Sequence, residues 1–146
     1  MKEDAIMKRI LWFLAAVGLT LLAVSALRAE EASEKAADAA AQKWLSIVDG
    51  GNYGESWKLG AALFRKAVTA EQWEAALRAS RGAYGSLVSR KLKGSEYRTS
   101  LPGAPDGEYV VLQYDSSFEH KKSAVETVTP MKDTDGVWRV SGYFIK

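Results

Sequence analysis

The residue types that could do chemistry are few in this chain, and their scarcity limits the reactions open to it. There is one histidine and no cysteine. A thiolate metal site, a disulfide framework and a cysteine nucleophile are therefore excluded. His120 stands between Glu119 and Lys121 in a charged turn, whereas a metal centre needs several ligands converging on one point. A Ser-His-Asp arrangement would have to use the same histidine, and no nucleophile elbow accompanies it. Gly50-Gly51 lacks the further glycine and lysine of a phosphate-cradling loop. No metal and no cofactor are expected.

Acid–base chemistry is the remaining catalytic possibility, with Asp115 and Glu126 as candidates. A carboxyl group in an apolar pocket is driven toward its neutral form and can take a proton, while a tyrosine such as Tyr97, Tyr114 or Tyr143 steadies an oxyanion. Strand alternation puts Asp115 on the face opposite Val110, Leu112 and Tyr114, which points it to solvent. Glu126 shares a face with Val128. The plainer reading, which we prefer, makes it an ion-pair partner of Arg139 or Arg98 across a sheet. Binding is the other possibility. Aromatics at helical spacing are usually core, but Trp57, Trp73 and Tyr114 could line a pocket for a small apolar ligand or a partner segment.

The elements that must position these residues follow from periodicity. Residues 31–48 repeat apolar positions at three- and four-residue spacing (Ala32, Ala36, Ala37, Ala40, Ala41, Trp44, Leu45, Val48), the mark of an amphipathic helix with an alanine seam. Asp49-Gly50-Gly51-Asn52 stops it. A second helix is expected over Glu55–Ala67, and a third opens at Thr69, where Thr69-Ala70-Glu71-Gln72 fits a capping box. Trp73, Ala76, Leu77 and Tyr84 should face inward, and Gly82 and Gly85 should end the pattern. From Ser86 the period becomes two. Strands are expected over Ser86–Ser100, Glu108–Phe118, Ser123–Lys132 and Val137–Ile145, the last pair joined by a two-residue hairpin at Asp135-Gly136. Helices followed by a strand meander predict an α+β fold, with the N-terminal helices packed on a curled four-stranded antiparallel sheet that leaves a cone-shaped cavity.

The first 29 residues read differently from the rest. Lys8-Arg9 precede an apolar run from Ile10 to Leu27, and small residues follow, the layout of a secretory signal peptide. Cleavage is expected after Ala26 or Ala29. The eighteen-residue run, interrupted only by the uncharged Thr20 and Ser25, is also just long enough to serve as an uncleaved anchor. Met7 gives a cleaner leader than Met1. With either outcome the domain at 30–146 works outside the cytoplasm, as a periplasmic protein, and touches membrane only through an uncleaved leader. The charge balance changes accordingly. The full chain carries 20 basic and 18 acidic residues; without Lys2, Lys8, Arg9, Arg28, Glu3 and Asp4 it carries 16 of each. A neutral domain has no basic footprint for nucleic acid. Arg90-Lys91-Leu92-Lys93 and Lys121-Lys122 read as solvated strand and turn faces.

Ser100-Leu101-Pro102-Gly103-Ala104-Pro105-Asp106-Gly107-Glu108-Tyr109-Val110-Val111-Leu112, Glu126-Thr127-Val128-Thr129 and Asp135-Gly136-Val137-Trp138-Arg139-Val140-Ser141-Gly142-Tyr143-Phe144-Ile145 resemble small exported bacterial proteins of the domain of unknown function 4019 family. Ala41-Gln42-Lys43-Trp44-Leu45 with Asp49, Tyr53 and Trp57 fits as well, so the resemblance spans nearly all of the domain. It carries no established activity. The order of elements also resembles the nuclear-transport-factor-2-like, or cystatin-like, fold, which hosts enzymes, binding modules and dimerisation domains alike. The function expected is a small exported binding or interaction domain. The alternatives are a small isomerase or dehydratase using the cone, and a structural homodimer formed through the sheet face.

Overall fold

The computed structural model describes the backbone of residues 2–146 and the side chains of residues 24–146. Two compact units are present, Met1–Ala32 and Ser33–Lys146. The leader expected at 1–29 falls in the first, and its side chains as far as residue 23 lie outside the described residues. Beyond them Val24 and Leu27 are exposed. Among the described residues no helix is long and apolar enough to cross a membrane.

Helix α1 is Lys2–Asp49. Within the second unit its inner face is Ala37, Ala41, Trp44, Leu45 and Val48, all buried. The alanine seam is narrower than its spacing suggested, because Ala32 and Ala36 are exposed and Ala40 is only half-buried. The helix ends where expected. Gly51 takes a left-handed φ of 75°, and Gly51 and Asn52 return their N–H groups to the carbonyls of Val48 and Ile47, satisfying acceptors that the last turn leaves open.

The single helix expected over Glu55–Ala67 is two: α2 (Tyr53–Lys58) and α3 (Ala62–Ala67). The break lies at Leu59-Gly60-Ala61, where Ala61 turns extended and donates its N–H to the carbonyl of Val140 at 2.8 Å. A tertiary backbone bond thus replaces a helical one. Gly60 is required there, since an added Cβ would lie 2.5 Å from the Phe64 ring. Helix α4 (Ala70–Tyr84) starts on the Thr69–Gln72 capping box, with both reciprocal bonds formed. Gly82 lies inside α4 and does not end it; Gly85, at φ 75°, does. Trp73 and Leu77 face the core, whereas Ala76 is exposed, contrary to expectation.

The sheet is a meander in spatial order β1-β2-β3-β4, every pair antiparallel. Its strands are β1 (Leu87–Arg98), β2 (Tyr109–Phe118), β3 (Ala124–Lys132) and β4 (Trp138–Ile145). Irregularities at Leu87/Ser89 and Leu92/Gly94 in β1 and at Thr129/Pro130 in β3 increase local twist, as bulges do. Pro130 has no N–H for a ladder, so an interior strand accepts it only at such a point. The β3–β4 connection is one residue longer than the Asp135-Gly136 reading. Asp133 and Val137 still pair, Gly136 N–H bonds Asp133, and Gly136 sits at φ 79°. That is a three-residue loop with glycine in the left-handed position. The helical layer closes one face of this curled sheet around Trp44, Leu45, Phe64, Trp73, Leu77, Val110, Leu112, Tyr114, Val128 and Val140. The α+β architecture read from the sequence is the architecture found.

Candidate functional site

The covered face of the sheet holds an ionic centre as well as apolar side chains. Glu126 is fully buried on β3. Its Oε2 accepts from Arg90 Nε at 2.6 Å and Ser116 Oγ at 2.5 Å. Its Oε1 accepts from Tyr143 OH at 2.6 Å and Arg90 Nη2 at 3.0 Å, with Arg81 Nη1 a further 3.6 Å away. Asp49, the last residue of α1, completes the set. It accepts from Arg81 Nη2 at 2.7 Å, and from Arg90 Nη1 at 2.7 Å and Nη2 at 3.0 Å. The centre joins α1, α4, β1, β2, β3 and β4 through two guanidinium groups and two carboxylates, so its formal charge is zero.

Its electrostatics follow from that pairing. Burial alone would raise the Asp49 carboxyl; hydrogen bonds from Arg90 and Arg81 outweigh it and hold the group below the usual carboxylate range. Burial would lower both arginines, and the hydrogen bonds to Asp49 and, for Arg90, Glu126 reverse this and raise them. Burial, then the neighbouring Glu126 charge, pushes the Tyr143 hydroxyl above its ordinary value. One donor is left over, for Arg81 Nε has no partner. The Arg81 guanidinium instead lies 4.6 Å from the centre of the Phe118 ring, a favourable cation–π placement.

Two grooves flank this interior. A polar one of about 250 Å³ opens onto the ionic centre between α1 and the first two strands, lined by Gln42, Ser46, Asp49, Arg90, Leu92 and Tyr114. The Tyr114 hydroxyl donates to Asp38 at 2.5 Å; burial and that bond push it well above the ordinary phenol range. The larger groove, about 410 Å³, is apolar. Ala36, Ala39, Ala40, Trp44 and Ile47 of α1 form one wall, and Leu59, Val137, Trp138 and Val140 form the other. Lys43 and Arg139 line it as well.

The sequence-derived candidates separate in this arrangement. Asp115 is exposed, as alternation required, and pairs loosely with Lys93 at 3.4 Å. Glu126 does face inward, but its cations are Arg90 and Arg81; Arg139 pairs with Asp133 and Asp135, and Arg98 with Glu96. Arg90 is therefore not part of a solvated face: β1 alternation directs it toward Ser116, its cross-strand neighbour. Trp57 and Trp73 line neither groove. Their indole N–H groups are spent on the Val68 carbonyl at 2.8 Å and Ser56 Oγ at 3.0 Å. Tyr114 alone of that trio reaches a groove, the polar one.

The residues missed were Asp49, Arg81 and Arg90, together with the Ala36–Ala39–Ala40 wall. A signal existed for Arg81, which continues the four-residue spacing of Trp73 and Leu77 on the inner face of α4.

Fold and site together define a small α+β domain whose helical layer is locked to its sheet by a neutral ionic centre, with an open apolar groove beside it. Comparison with known sequences places it more closely. A protein family of unknown function, DUF4019, matches residues 40–143, and the chain belongs to that family. Neither the curated proteins nor the solved structures contain a match.

Proposed function

We propose that this chain is an exported, non-catalytic binding module that holds an apolar ligand or partner segment in the groove between α1 and β4. The observation that carries the reading is the groove itself. It is open, about 410 Å³, and walled by apolar side chains, and Leu59 and Val137 on its rim are exposed at 47% and 48%. Sites of this size and lining are those that take small molecules and short segments.

The interior supports binding over catalysis. Glu126 already accepts two hydrogen bonds on each oxygen, so it has no site turned to a substrate proton. Asp115 is exposed beside Lys93. Neither carboxyl group has the apolar, substrate-facing position that general acid–base work requires. Export rests on the basic, apolar and small-residue order of residues 8–29.

The test is native mass spectrometry of the chain purified from the cell envelope. The expected result is a mass starting near residue 27 or 30 with a bound species that an Ala40→Trp variant loses. A ligand-free protein in both forms would refute binding in the groove, and recovery only from the cytoplasmic fraction would refute export.

A further inference from the structure

The charges around the apolar groove are unequal in what they leave free. On the β4 side Arg139 is already paired: Nη1 bonds Asp133 at 3.1 Å and Asp135 at 2.8 Å, and Nη2 bonds Asp135 at 2.8 Å. That cation and those two anions are committed to one another. On the α1 side Lys43 is exposed and, among the described residues, makes no ion pair. Its neighbours one turn away, Ala39, Ala40, Ser46 and Ile47, carry no charge. Asp38, a carboxylate on the same helix, takes bonds from Gln42 and Tyr114. A lysine in such a place lays its methylene stem along apolar surface and leaves the ammonium at the rim. The groove thus combines an apolar trough with one uncommitted positive charge at its α1 edge.

Resting on the reading of the domain as a binding module, we propose that the groove's ligand is a free single-chain amphiphile with an anionic head, such as a fatty-acid carboxylate. The chain lies against Ala36, Ala40, Trp44 and Trp138, and the head pairs with the Lys43 ammonium. The alanines make this possible: three short side chains leave a trough where leucines would fill it. The committed Asp133–Asp135–Arg139 turn directs an anionic head away from β4 and toward α1.

The experiment titrates the purified protein, by tryptophan fluorescence and calorimetry, with dodecanoate, dodecan-1-ol and dodecyltrimethylammonium below their aggregation concentrations. Trp44 and Trp138 line the groove and report on its filling. Dodecanoate should bind most tightly. Lys43→Gln should weaken it about fivefold, the upper range for one exposed charge pair, and leave dodecan-1-ol unchanged. Ala40→Trp, which fills the trough, should abolish binding of both; Leu59→Asp, at an exposed rim position, should weaken both without disturbing the fold. Equal affinity for the cationic probe, or dodecanoate binding indifferent to Lys43→Gln, overturns the anionic class while the groove remains a binding site. Dodecanoate binding that survives both Ala40→Trp and Leu59→Asp overturns the location. Binding to anionic phospholipid vesicles without binding of monomeric dodecanoate overturns the free-amphiphile assignment. Failure of all three probes overturns the apolar-ligand reading as well.

Discussion

Glu126→Gln separates the role of the ionic centre from that of the groove. The substitution keeps shape and removes one charge. In the native protein two arginines face two carboxylates; in the variant they face Asp49 alone, and one buried positive charge loses its counter-charge. Glu126 is 0% exposed, the Arg81 side chain 4% and the Arg90 side chain 12%, so water replaces little of the missing counter-charge. Removing one partner of a buried ion pair costs about 3–5 kcal/mol, a large share of the roughly 5–15 kcal/mol that holds a domain folded. With a urea m-value of about 1–2 kcal/mol/M for a domain of this size, the unfolding midpoint should fall by roughly 1.5–5 M, read by tryptophan fluorescence. Asp115→Asn is the control, since its pair with Lys93 is more than half exposed on both sides; it should change stability by less than about 0.5 kcal/mol. The double variant Arg90→Met/Glu126→Leu, which leaves the Asp49–Arg81 pair intact, should recover much of the loss. A Glu126→Gln cost below about 1 kcal/mol, equal to that of Asp115→Asn, would refute the account of the centre as a mutually dependent neutral set.

Four further outcomes are expected. Ser56→Ala should destabilise by about 1–3 kcal/mol in the same urea assay, because the Trp73 indole N–H loses its acceptor in a fully buried place. In a carboxyl NMR titration Asp135 should protonate at about 2, below its ordinary 3.8, because Arg139 and the Val137 N–H hold its anion. The sign for Asp49 is the same: its folded pKa is depressed, so its contribution is complete above about pH 4 and is lost as pH falls through the lower folded value. Acid unfolding should therefore begin below pH 4, and Asp49→Asn should flatten that limb. Residues 33–146 should unfold at the same urea midpoint as the longer chain, since they form a compact unit by themselves; a fall of more than about 1 M would contradict this.

The elements were legible because their signals are local. The end of α1 at Asp49, the capping box at Thr69 and the β2 alternation each depend on a few neighbouring residues, and each was found where the residues put it. What failed depended on distant partners. The Glu55–Ala67 pattern is helical throughout, and nothing within it reveals that Ala61 will bond a strand almost eighty residues later. Arg90 looks like its neighbours Lys91 and Lys93; only the strand register puts it beside Ser116 and Glu126. The direction of Glu126 could be read from its period-two position, but its partners could not, because a charge in a pattern does not specify which opposite charge the fold will bring.

The same distinction explains how the molecule divides its charges. The buried centre contains arginine and no lysine. A guanidinium can bond several oxygens at once in a plane, and Arg90 does this by bridging Asp49 and Glu126. The cation at the apolar groove is a lysine, a mobile point charge on an apolar stem, and no carboxylate of the second unit claims it. A cation needed to hold six elements together has every opportunity to do so in the first place and none in the second. The fold therefore commits its rigid charges to its own stability and leaves Lys43, unpaired among the described residues, beside the apolar groove.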